Sequence, residues 1–82
     1  MQETQIINVY ITRKLTEDDP PTSTKQLYFL KSLCAKKGND FPFTIKEAKM
    51  YLGHVTTYRT IKHLEMGYRV VFIVQESSKF ES

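Results

Sequence analysis

Only two stretches of this chain read as strands, and they lie towards opposite ends with every helical segment between them. Residues 5–12 are rich in β-branched side chains, and Ile7, Val9 and Ile11 recur at period two. That alternation predicts a strand buried on one face. Residues 68–75 predict the second strand, with Tyr68, Val70, Phe72 and Val74 on one face and Val71 and Ile73 on the other. Backbone polar groups need partners once buried, so the two strands are expected to pair with each other.

The middle of the chain is punctuated by helix caps. Residues 13–22 are charged and then broken by Pro20-Pro21, which predicts a loop, with Glu17-Asp18-Asp19 read as a solvated turn. Ser23 and Gln26 have the spacing of a capping box. Leu27, Leu30, Leu33 and Cys34 follow as one apolar stripe, and Lys36, Lys37 and Gly38 mark a helix end. A helix over 23–37 results. Thr44 and Glu47 open a second helix over 44–52, with Ile45, Ala48, Tyr51 and Leu52 facing inward before Gly53. Residues 55–61 are β-prone, yet Tyr58, Ile61 and Leu64 fall at helical spacing. This predicts a third helix over 57–66 with those three side chains in the core. Residues 76–82 read as a flexible polar tail.

The expected fold is therefore α+β, in the order β-α-α-α-β, with three helices packed on one face of a small antiparallel ribbon. All 82 residues form one domain.

Little catalytic chemistry can be assembled from these residues. The one cysteine, Cys34, lies in the apolar stripe, where a thiol packs as a small hydrophobe. His54 and His63 stand nine apart with no second cysteine, so zinc spacing is absent. The acidic run has no calcium-loop pattern, and the glycines follow helices rather than forming a phosphate-binding loop. No enzyme activity, metal or cofactor is expected. The opening Met1-Gln2-Glu3-Thr4 lacks the basic and apolar regions of a signal peptide, and no apolar run is long enough to span a bilayer. The expected compartment is the cytoplasm, with no membrane partner.

Charge gives the functional lead. Residues 24–63 hold eight basic side chains against two acids, although the whole chain carries only +3. A basic centre between acidic ends points to an anionic partner. In the same region Phe43-Thr44-Ile45-Lys46-Glu47-Ala48 leads to Leu52-Gly53, then to Leu64-Glu65-Met66-Gly67-Tyr68 and the apolar strand. This stretch resembles the core of winged helix-turn-helix regulators, with Ala48 to Gly53 spanning five residues where the usual motif has four. The resemblance implies a winged-helix-like fold, double-stranded DNA as the partner, and a third helix entering the major groove. The DNA-contacting set is then Lys46, Lys49, Thr56, Thr57, Arg59, Lys62 and His63, with Thr56 and Thr57 offering phosphate the helix N-terminus. Such a protein is expected to be a transcription regulator or a phage or mobile-element DNA accessory protein. The alternative is a small phage-type adaptor or inhibitor that binds a host protein. The two-faced apolar pattern of both strands also predicts a homodimer through the sheet face turned away from the helices. A competing cover for that face is the 13–22 loop anchored by Leu15.

Overall fold

The computed structural model describes residues 4–12 and 14–75; the predicted tail lies outside them, as does Arg13 within the predicted loop. The elements run β1 (Ile6–Thr12), α1 (Thr24–Lys37), α2 (Ile45–Tyr51), α3 (His54–Glu65) and β2 (Arg69–Gln75). Their α+β class and order match expectation, but the sheet does not. The strands pair parallel, with Ile6 beside Arg69 and Thr12 beside Gln75. An antiparallel pair would have brought β2 in at the far end of β1. Instead, the three helices return the chain to the end where β1 begins, as a crossover connection does. Because a wing is an antiparallel hairpin, these two strands do not make one.

Local signals set most helix boundaries. The Ser23 hydroxyl accepts the Gln26 N–H at 3.2 Å, and at the other end Gly38 takes the left-handed conformation with φ 70°. The Gly38 N–H then reaches the Ala35 carbonyl and the Asn39 N–H the Cys34 carbonyl, closing the orphan carbonyls of α1. At α2 the capping box is complete: Thr44 Oγ1 accepts from the Glu47 N–H, while Glu47 Oε1 accepts from the Thr44 N–H.

One core serves the whole assembly. Leu27, Leu30 and Cys34 of α1, Ala48 and Leu52 from α2 and its cap, and Ile61 and Leu64 of α3 meet Ile11 and Val70 of the sheet. Burial of each large aliphatic side chain contributes roughly 1.5–3 kcal/mol. Phe41, Phe43, Tyr51 and Phe72 extend this core through edge-to-face ring contacts with centroids 5.6–6.0 Å apart. In the sheet, Ile7, Val9, Ile11, Val70 and Phe72 turn towards the core, as the alternation predicted for β1. The opposite face carries Ile6, Asn8, Tyr10 and Val71, all exposed, and Ile73, which is half-buried.

Two long-range contacts complete the architecture. Asn39, between α1 and α2, is buried and embraces Val70: its Nδ2 donates to the Val70 carbonyl at 2.9 Å, and its Oδ1 accepts the Val70 N–H at 2.8 Å. The amide thereby acts as a one-residue strand against the outer edge of β2.

The second contact revises the reading of the acidic run: Glu17 and Asp18 form an exposed turn as expected, but Asp19 is drawn into the fold. Residues 16–19 turn back through the Asp19 N–H on the Thr16 carbonyl. Pro21 then bridges to Gly53, and the His54 N–H donates to the Pro20 carbonyl at 2.6 Å. The loop thus docks on the α2–α3 turn rather than crossing the open sheet face. Leu15 is half-buried beside Tyr10, Ile11 and Tyr51.

Candidate nucleic-acid interface

The third helix starts three residues before the predicted Thr57, because its cap comes from far away in the chain. Asp19 Oδ1 accepts the Val55 N–H at 2.6 Å, and both carboxylate oxygens reach the Thr56 N–H at 3.3 Å. Oδ2 also accepts the Thr56 hydroxyl. A carboxylate at a helix N-terminus neutralises its partial positive charge and satisfies its free N–H groups. This is the place where phosphate was expected, and the protein's own acid occupies it.

Gly53, the N-cap residue of α3, has φ −84°, so its backbone does not demand glycine. The demand is spatial: a Cβ there would overlap both the side chain and the carbonyl of Asp19.

The inward face of α3 keeps Ile61 and Leu64 as expected but takes Thr57 and Thr60 in place of Tyr58. Thr57, Thr60, Ile61 and Leu64 are buried, whereas Tyr58, expected in the core, is 53% exposed. Threonine tolerates this face because its methyl packs and its hydroxyl can bond to the preceding turn, as Thr60 does to the Thr56 carbonyl at 2.7 Å. Thr57 finds no such partner for its buried hydroxyl.

The seven residues expected to contact DNA therefore divide. Lys46 and Lys49 on α2 and Arg59 and Lys62 on α3 are all exposed. Thr57 is fully buried, which removes it from any ligand's reach. Thr56 is held by Asp19. His63 is half-buried and tilts against the Tyr68 ring at 5.8 Å between centroids. It lines a groove between α3 and β1 with Arg59, Thr60 and Val9.

Two contributors escaped the sequence pattern. Tyr58 stands outward with the Lys62 ammonium 5.4 Å from its ring centre, within cation–π range. Asp19 shapes the site by closing its N-terminal end. Its placement 37 residues from Thr56 leaves no periodic signal to find.

The electrostatics of the helical layer favour anions. All eight basic side chains of residues 24–63 are exposed, and one of the two acids there, Glu47, is committed to capping α2. Elsewhere the titratable chemistry is quiet. Burial pushes the Cys34 thiol up to about 11, with the charge of Asp40 adding to the shift and the Asn39 side chain opposing it. A protonated buried thiol is a poor nucleophile. Among the described residues there is no cluster of side chains suited to hold a metal, and no helix is long and apolar enough to cross a membrane. Comparison of the chain with protein-family profiles, curated proteins and solved structures gave no match to any of the three.

Proposed function

We propose that this protein binds double-stranded DNA through the outward surfaces of α2 and α3, as a small regulator or DNA accessory protein. The carrying observation is the outward stripe of α3, where Arg59 and Lys62 stand exposed beside Tyr58 in a helical layer that exposes all its basic side chains. On this reading Lys46 and Lys49 neutralise phosphates from α2, while Arg59 and Lys62 reach the groove or the backbone from α3. Side chains supply the binding; the α3 N-terminus, capped by Asp19, does not.

Combined Arg59→Ala and Lys62→Ala replacement tests this. Duplex binding followed by fluorescence anisotropy should weaken by at least tenfold, with the thermal midpoint nearly unchanged, since exposed substitutions stay within about 0.5 kcal/mol. Thr57→Val is the control and should bind as the parent does. A double variant that binds like the parent overturns the assignment.

A protein-binding adaptor is the second reading. It is favoured by the exposed apolar side chains Tyr28, Phe29, Met50, Val55 and Met66 across the helical layer. A parent protein with no measurable duplex affinity would favour it.

A further inference from the structure

We infer that β1 is a self-pairing edge. Two copies of this chain join β1 to β1, antiparallel about a two-fold axis at Asn8, into a four-stranded sheet ordered β2-β1-β1-β2. The inference does not rest on DNA binding, although the groove beside this edge is lined in part by Arg59.

The two edges of the sheet are treated differently. On the outer edge of β2, Val70 already has its N–H and carbonyl taken by Asn39, and the Arg69 guanidinium is tied to the Gly38 carbonyl at 3.1 Å. The Arg69 N–H donates to the Gln5 carbonyl, and Ile6 stands beside Arg69 in the parallel register. Residues 5, 7, 9 and 11 therefore bond towards β2. Alternation turns the N–H and carbonyl groups of Ile6, Asn8, Tyr10 and Thr12 outward, along the free edge of β1.

Among the described residues no strand pairs with that edge, although Lys14, Leu15 and Thr16 approach its Tyr10–Thr12 end. Free edges are commonly blunted by charged residues, prolines or bulges, and residues 5–12 contain neither a charge nor a proline. The edge is also complementary to itself. With Asn8 opposite its own copy, Ile6 lies opposite Tyr10 on both sides of the axis. These are the two most exposed apolar side chains of the sheet, at 57% and 59%, and the pairing sets each against the other.

There is room for the second strand. A groove of about 390 Å³ runs between β1 and α3, and Ile7, Val9, Thr60 and His63 line it. The incoming strand turns its own Ile7 and Val9 towards this side. Because both copies use the same surface, the assembly closes at two. This differs from stacking through the outer sheet face, because the edge hydrogen bonds set the register.

Sedimentation equilibrium at micromolar concentration, together with cysteine cross-linking, tests the proposal. The parent should sediment at twice 9.6 kDa. Asn8→Cys should form an intermolecular disulfide under mild oxidation, since hydrogen-bonded antiparallel partners hold their Cα atoms about 5.5 Å apart. Val71→Cys should not cross-link. Val71 pairs with Asn8 within one chain, but lies three strand spacings, roughly 14 Å, from its copy. Buried Cys34 stays out of the reaction. A 9.6 kDa species in the parent overturns the proposal whatever the variants do. Cross-linking through Val71→Cys as readily as through Asn8→Cys overturns the edge geometry.

Discussion

Asp19 lies so close over Gly53 that the fold has no room there for a β-carbon. The same carboxylate caps α3 through Val55 and Thr56, so one acid from the N-terminal loop fixes both the α2–α3 turn and the start of the third helix. Gly53→Ala should therefore destabilise by overpacking, by roughly 1–3 kcal/mol. Asp19→Ala should cost about 1–2 kcal/mol as a lost cap. Urea unfolding of the two single variants and the double variant checks the link. The double should lose less than the sum of the singles, because removing the Asp19 side chain relieves part of the overlap. Strict additivity would contradict the contact.

Asn39 is predicted to be the most sensitive polar position. Asn39→Leu removes both partners of Val70 in a buried setting, and an unsatisfied buried group costs about 1–3 kcal/mol. A domain of this size has a margin of roughly 3–5 kcal/mol, so the variant should be largely unfolded at 37 °C by far-ultraviolet circular dichroism. A midpoint like that of the parent would show that the amide clamp contributes little.

The boundaries of α1 and α2 were legible because their caps are local: Ser23, Gly38 and the pair Thr44 and Glu47 lie within a few residues of the ends they close. The inward face of β1 was legible from simple alternation. Strand direction was not, because alternation is the same for parallel and antiparallel pairing. Asp19 and Asn39 were missed for a shared reason: each side chain completes a backbone site more than 30 residues away. Tyr58 misled because an aromatic outweighs threonine in an apolar pattern, whereas the helix buries Thr57 and Thr60 in its place. Of the candidate site, the exposure of Lys46, Lys49, Arg59 and Lys62 was legible, since lysine and arginine on a helix rarely bury. The closing of the α3 N-terminus was not.

The Cys34 thiol predicts a specific alkaline sensitivity. Its folded value of about 11 lies above the ordinary 9.0. Below pH 9 the thiol is protonated in both states, so its contribution is unchanged there. As pH rises from about 9 to 11 the unfolded chain ionises first, and stability falls. The loss is on the order of 2–3 kcal/mol across that window. Cys34→Ala lacks this component, although its cavity lowers stability throughout. Urea midpoints of the two proteins should therefore converge between pH 9 and pH 11. Parallel pH profiles would contradict the burial of the thiol.

The central claim is that exposed cations of α2 and α3 hold DNA by its phosphates, and its most direct test is the salt dependence of duplex binding. If Lys46, Lys49, Arg59 and Lys62 each neutralise one phosphate, the logarithm of the binding constant should fall against the logarithm of salt with a slope between about −3 and −4. Affinity would then drop about 100-fold from 50 to 200 mM salt. In the Arg59→Ala, Lys62→Ala protein the slope should shrink to about −2. Binding with a slope near zero, or a slope that the double replacement leaves unchanged, would contradict the account.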